Sequence, residues 1–289
     1  MPTTPLPVAG LQLDIVWEDP QANFARADTL AAHAVASGAR LIVLPEMFAT
    51  GFSMAADRIA GHAAAIRAYL ADLARRHGAW VLGGYAEPFD SRPRNAAALF
   101  DPSGTGVLDY HKIHPFSFGG EDKHFAGGTR VLTADVEGVF VTPLICYDLR
   151  FPEPFRAAAA GTDLFVVIAN WPQARRLHWS TLLRARAIEN QAFVLGVNRV
   201  GEGDGLLYSG DSALIDPLGE IVGTAAAQPA VDGGEVSASR RERRAWWRMV
   251  QPAVVGGEVS AAVVADVRAQ FSFLADRKPE VYAEMVRRR

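Results

Sequence analysis

The chain of 289 residues contains one cysteine, Cys146. One thiol cannot close an internal disulfide, and it cannot supply a multi-cysteine zinc or iron–sulfur site. It is therefore either core filler, the commoner fate of a free cysteine, or a reactive group. Its neighbours bear on the choice. The apolar run VFVTPLI (residues 139–145) leads straight into Cys146, and Pro152 marks a helix start shortly after. Strand-to-helix turns present side chains at the C-terminal edge of a sheet, where α/β proteins place their sites. A thiol near a helix N-terminus and basic neighbours ionises more easily, and the thiolate is the nucleophile. The backbone N–H of Tyr147, just after it, is placed to donate to an oxyanion.

Three further residues are chemically suited to work with a thiol. Glu46 follows the apolar segment RLIVLP. Desolvation at a strand end raises a carboxyl's proton affinity and makes it a better base near neutrality. Lys112 sits between two histidines in YHKIHPF, in a chain whose 29 basic residues are mostly arginine. Its compact charge and mobile donors suit a developing oxyanion. Glu121 closes FSFGGE, where the glycines permit close backbone approach. Each has a plainer reading in isolation: a solvated strand-end carboxylate, a surface lysine and a loop carboxylate. His111, His114 and His124 lack the helical HExxH spacing and companion cysteines, so they read as solvated or supporting groups and no metal site is expected.

The elements that must position these residues follow from periodicity. Apolar strands are expected at residues 8–16, 40–44, 79–85, 95–100 and 107–110, with helices at 20–37 and 62–77 closed by Gly38 and Gly78. The second half repeats the rhythm. Its strands are 138–145, 163–169, 192–198, 211–215 and 220–222, and its helices are 152–160 and 178–191. Strands alternating with helices indicate an α/β fold with helices covering sheet faces. Two pattern-level copies suggest two such sheets packed as a four-layer α-β-β-α sandwich with two pseudo-repeated halves. The whole chain, 1–289, reads as a single domain.

One literal repeat interrupts that scheme. QPAVDGGEVSA (228–238) recurs 23 residues later as QPAVVGGEVSA (251–261), differing only at Asp232 against Val255. Two copies are too few for a solenoid. A tandem duplication is expected, with one copy forming a late strand and the other lying in an insertion around 231–253. Between the copies, SRRERRAWWRM (239–249) reads either as a solvated loop or as a basic, aromatic segment docking on a partner subunit or covering the site.

Composition sets outer limits. The chain is 49% hydrophobic and 21% charged, enough for a full core, and its formal net charge is −3. Nothing global points to nucleic acid or an anionic membrane. No apolar run reaches the ~18 residues of a membrane span, and the N-terminus lacks a signal-peptide pattern. A cytoplasmic location is the default expectation.

Taken together, the segments resemble the nitrilase, or carbon–nitrogen hydrolase, superfamily over nearly the whole chain. Leu44-Pro45-Glu46 is similar to that family's first glutamate motif, Lys112-Ile113-His114 to its lysine motif, Glu121 to its second glutamate and Ile145-Cys146-Tyr147-Asp148 to its nucleophile motif. Each is short; their shared order around the sole cysteine is what makes the resemblance specific. The family fold is the same four-layer sandwich. Finer features look like the ω-amidase branch: CYDLRFPE (146–153), ANWP (169–172) and LRARAIENQ (183–191). The duplication departs from the family pattern, but it follows every catalytic motif.

The resemblance implies thioester chemistry. Glu46 would act as general base, Cys146 as nucleophile, Lys112 and the Tyr147 N–H as oxyanion donors, and Glu121 would orient Lys112 or the substrate. It implies no metal or organic cofactor, ω-monoamides of dicarboxylates as substrates and a homodimer or larger homo-oligomer. A substrate carboxylate would call for an arginine, and Arg150, Arg175 and Arg176 lie near the motifs. Phe116 and Trp171 could wall the pocket or belong to the core. Other readings are a different amidase or carbamoylase of the superfamily, a non-catalytic binding protein on this scaffold, and a nucleic-acid binder using the arginine-rich segment, which the net charge disfavours.

Overall fold

The computed structural model describes residues 4–225 and 251–285. In chain order the elements are β1 (Leu6–Gln12), α1 (Pro20–Ala36), β2 (Leu41–Val43), α2 (Ala56–Ala60), α3 (Ala63–His77), β3 (Trp80–Glu87), β4 (Arg94–Phe100), β5 (Gly106–His111) and α4 (Glu121–His124). The second half continues with β6 (Ala134–Val136), β7 (Val139–Ile145), α5 (Pro152–Ala158), β8 (Leu164–Ala169), α6 (Arg176–Asn190), β9 (Phe193–Asn198), β10 (Val200–Gly203), β11 (Leu206–Ser209), β12 (Ala213–Ile215) and β13 (Ile221–Thr224). The last elements are β14 (Ala253–Val259), α7 (Ala261–Gln270) and α8 (Pro279–Met285).

Local chemistry accounts for the main boundaries. Asp19 accepts from the Ala22 N–H at 3.1 Å and Pro20 occupies the first turn of α1, a strong helix start. Gly78, at φ 59°, ends α3 in the left-handed conformation that glycine adopts without penalty. Along β1 and β2 the side chains alternate. Leu6, Val8, Leu41 and Val43 face the second sheet, whereas Ala9, Leu11 and Ile42 face α1 and α3.

The two sheets run β14-β1-β2-β3-β4-β5 and β6-β7-β8-β9-β12-β13. Each has three central parallel strands, β1-β2-β3 or β7-β8-β9, flanked by antiparallel neighbours. The expected pseudo-repeat is thus present in topology, except that the edge strand of the first sheet comes from the C-terminal end of the chain. The sheets pack face to face: a Cβ on Gly10 of β1 would come within 2.6 Å of Val197 on β9. Helices cover the outer faces, giving the four-layer sandwich.

The C-terminal copy of the repeat forms β14, paired antiparallel with β1 from Leu6↔Val259 to Gln12↔Ala253. The first copy and the arginine-rich segment after it lie outside the described residues. The strand expected over 8–16 leaves the sheet after Gln12, and Asp14 makes only an isolated bridge to Val200. The hairpin β10–β11, paired apart from both large sheets, was not expected from the sequence.

Candidate active site

The two halves meet where their central strands end, and the four chemically suited residues converge there. Glu46 follows β2 and Cys146 follows β7. Lys112 and Glu121 flank the loop between β5 and α4. Glu46, Lys112 and Glu121 are buried at 0%, 1% and 0% exposure, while Cys146 is half-buried. Gly84 on β3 makes the first of these placements possible, because a Cβ there would come within 2.7 Å of the Glu46 Cα. Cys146 sits at φ 46°, a strained conformation for a residue with a side chain. The strain turns the chain sharply at the end of β7 and presents the thiol at the sheet edge.

Hydrogen bonds fix the cluster. The Lys112 Nζ donates to Glu46 Oε1 at 3.0 Å and to Glu121 Oε2 at 2.8 Å. The Asn95 Nδ2 donates to both carboxylates, at 2.7 Å to Glu46 Oε1 and 2.8 Å to Glu121 Oε1. Across the sheet interface, the Asn170 N–H donates to Glu46 Oε2 at 2.8 Å, and the Asn170 Nδ2 donates to the Glu46 carbonyl at 2.6 Å. Glu46 Oε1 therefore accepts two strong donors. Oε2 accepts the Asn170 N–H and a longer contact from the Asn170 Nδ2 at 3.4 Å, and the thiol of Cys146 lies within hydrogen-bond reach of the same carboxylate.

Asp148 fixes the nucleophile turn. Its carboxylate, fully buried, accepts from the Ile145 N–H at 3.1 Å, the Tyr110 hydroxyl at 2.8 Å, and the N–H and Nδ1 of His114 at 3.0 and 2.8 Å. One side chain thereby holds both the Cys146 turn and the Lys112 loop. His114 is thus a supporting group, and His111 pairs with Glu87 at 2.6 Å. Among the described residues no cluster of three or more metal-ligating side chains forms.

Electrostatics here run against one expectation. Helix proximity and basic neighbours were expected to make the thiol acidic. Instead, burial and then the Glu46 carboxylate push it well above the ordinary thiol range, and the nearby Lys112 only partly opposes them. These influences favour the protonated thiol over the thiolate. Burial alone would lower the Lys112 ammonium, but Glu121 and Glu46 outweigh it and hold the ammonium above its usual value. Glu121 is raised by burial, with Lys112 opposing and Glu46 reinforcing the shift.

A cavity of about 170 Å³ opens onto the thiol, and Phe116, Tyr147, Arg150, Trp171 and Arg175 all line it. Arg150 lies 4.8 Å over the Trp171 ring and Arg175 lies 5.5 Å over the Phe116 ring. Among the described residues neither is ion-paired to a carboxylate. Arg176 turns away to Asp211 at 2.6 Å. Sequence reasoning missed several members. Asn95 is a polar residue opening an otherwise apolar strand, which was a usable signal. Asn170 and Asp148 stood inside quoted motifs without being singled out. Asp204, Leu206 and Tyr208 reach the cavity only through the β10–β11 hairpin.

Known proteins resemble this chain over most of its length. The Carbon-nitrogen hydrolase family model matches residues 7–240. Omega-amidase YafV of Escherichia coli (strain K12) is 40% identical over 242 residues, covering 83% of this chain and 93% of that protein. The 2-oxoglutaramate amidase of Bacillus subtilis (strain 168) is 31% identical over 79% of this chain and 90% of its own length. Among solved structures, XC1258 from Xanthomonas campestris, a CN-hydrolase superfamily protein, superimposes with a TM-score of 0.81 at 33% identity, covering 95% of this chain and 98% of the other. The chain belongs to the carbon–nitrogen hydrolase family.

Proposed function

We propose that this enzyme is an ω-amidase that hydrolyses the terminal amide of small dicarboxylate monoamides such as 2-oxoglutaramate and 2-oxosuccinamate. The observation that carries the reading is the buried Glu46–Lys112–Glu121 cluster beside the half-buried Cys146 thiol, opening into a cavity with two arginines that no carboxylate among the described residues pairs. Similarity to proteins named omega-amidase and 2-oxoglutaramate amidase supports the substrate class. A cytoplasmic location and self-association belong to the same proposal.

The geometry suggests the following sequence. The neutral thiol gives its proton to Glu46 Oε2 as sulfur attacks the amide carbon, so no free thiolate accumulates at rest. The carbonyl oxygen gains the negative charge. Lys112 has three N–H donors, of which two are held by Glu46 and Glu121, leaving the third for that oxygen. The Tyr147 N–H is the second donor in this scheme. A donor of this kind contributes about 3–4 kcal/mol to transition-state stabilisation. Glu46 then passes its proton to the departing nitrogen, ammonia leaves, and a thioester remains on Cys146. Water, deprotonated by Glu46, attacks the thioester and releases the carboxylic acid with the thiol restored. Glu121 and Asn95 hold Lys112 and Glu46 in register throughout. The cavity arginines, Arg150 and Arg175, receive the substrate's free carboxylate, since a guanidinium presents paired donors to it.

Ammonia release from 2-oxoglutaramate by the wild type and by Cys146→Ala tests the reading. Activity is expected in the wild type and absent from the variant. Equal activity in both would overturn the thiol mechanism. Release of carbon dioxide with ammonia from carbamoyl compounds, and none from ω-monoamides, would replace the amidase assignment with a carbamoylase.

A further inference from the structure

Arg199 stands apart from the catalytic cluster and is not used by it. It is fully buried at 0% exposure, and among the described residues no carboxylate lies within ion-pair distance of it. Among the described residues its guanidinium donates only to main-chain carbonyls: Nη2 to Ile15 at 2.8 Å and to Glu202 at 3.1 Å, and Nε to Val200 at 3.1 Å. The remaining nitrogen, Nη1, has no hydrogen-bond partner among the described residues. The same group lies 4.5 Å from the centroid of the Tyr208 ring. Burial pulls the Arg199 side chain down to about 10, so it stays charged near neutrality.

A buried cation with no carboxylate in direct contact among the described residues, and only the Asp14 carboxylate opposing the cost from farther off, is costly, and its contacts show where it acts. Ile15 belongs to the first half, just beyond β1. Val200 and Glu202 belong to β10, and Tyr208 to β11. Arg199 therefore ties the β10–β11 hairpin to the first half. An isolated two-stranded hairpin is marginal in water, so it needs such an anchor. Backbone crowds closely around the guanidinium: a Cβ on Gly203 would approach Nη1 within 2.7 Å. The hairpin in turn supplies Asp204, Leu206 and Tyr208 to the cavity wall.

We propose that Arg199 is a positioning residue for substrate selection, fastening the β10–β11 hairpin and setting the Tyr208 ring as the wall against which the acyl chain of the substrate packs. Lysine cannot replace it, because three carbonyls and a ring face are met by one planar fork. The inference rests on the ω-amidase reading for its substrates, and the wild-type substrate panel tests that reading separately.

The experiment measures kcat and KM for glutaramate, succinamate and uncharged butyramide. The proteins are the wild type, Arg199→Lys, Arg199→Met, Tyr208→Leu and the double variant Arg199→Met/Tyr208→Leu. The rate of Cys146 labelling by iodoacetamide reports on the catalytic end. In Arg199→Met, KM for the best substrate is expected to rise about tenfold, with kcat within about threefold and labelling unchanged. Tyr208→Leu should raise KM by a similar factor. The double variant should be no worse than the poorer single one, since both act on one wall. Unchanged KM in a folded Arg199 variant would overturn the proposal. So would a joint fall of kcat and labelling, or full multiplication of the two effects. Should Arg199→Met fail to fold, Arg199→Lys carries the same readings. A wild type that takes butyramide and rejects both acids would sink the ω-amidase reading alone, and the Arg199 comparison would then be read on butyramide.

Discussion

Replacing Asp148 by asparagine keeps shape and volume and changes only hydrogen-bond capacity. The native carboxylate accepts four donors, two on each oxygen. In the variant one oxygen becomes an NH₂ group. If that group faces Tyr110 and Ile145, the hydroxyl can rotate to accept, but the Ile145 N–H cannot. If it faces His114, the ring can change tautomer, but the His114 main-chain N–H cannot. Either way one buried main-chain donor is orphaned, which costs about 1–3 kcal/mol. The three surviving bonds lose charge assistance, about 1 kcal/mol each. Relief from burying a charge offsets part of this, leaving a net loss of roughly 2–4 kcal/mol against a typical total of ~5–15. Urea unfolding at neutral pH measures it as a lower midpoint at unchanged slope. Because Ile145 leads directly into the strained Cys146 turn, kcat should also fall by at least about tenfold. A loss below about 1 kcal/mol with wild-type kcat would refute the assignment of Asp148 as the anchor of that turn.

Three shorter predictions follow from the same cluster. Glu46 raises the thiol's proton affinity while Lys112 lowers it, so Glu46→Gln should label faster with iodoacetamide at neutral pH while amide hydrolysis drops by ~10²–10⁴; slower labelling would contradict the charge balance drawn here. Asn95→Leu removes one donor from each carboxylate. Glu121, already raised by burial and partly held down by Asn95, should move higher still, and the acid limb of the kcat/KM profile should shift toward neutrality; an unmoved limb counts against it. The unfolded chain releases the thiol proton near its ordinary value of about 8.5, whereas the fold retains it. The folded state therefore binds more protons there, and stability should fall as pH rises above that value. Chemical denaturation between neutral and alkaline pH should show less of this loss in Cys146→Ala than in the wild type.

Much of the architecture was legible in the sequence because its signals are local. The apolar runs at 41–44 and 139–145 end in residues unlike them, Glu46 and Cys146, and a strand end is where α/β folds expose chemistry. The Gly78 stop that closes the second expected helix is likewise a property of a few neighbouring residues. The repeat, too, could be read directly, and its C-terminal copy supplies the edge strand β14.

What the sequence by itself determined, then, was the list of reactive groups and the elements that carry them. Only the tertiary structure decided their electrostatic state and their company. The direction of the thiol's shift depended on two carboxylates brought from 100 and 25 positions away in the chain together with burial, so reading helix proximity alone gave the wrong sign. Asn95, Asn170 and Asp148 matter through partners that are 49, 124 and 38 residues distant. Arg150 and Arg175 were separated from Arg176 only when Asp211 was found to hold the latter. The cavity wall on the β10–β11 hairpin depends on a buried arginine reaching 184 residues across the chain to Ile15. Periodicity and caps act over one or two turns of chain. Desolvation and Coulomb interactions act through space, and the fold alone fixes those distances.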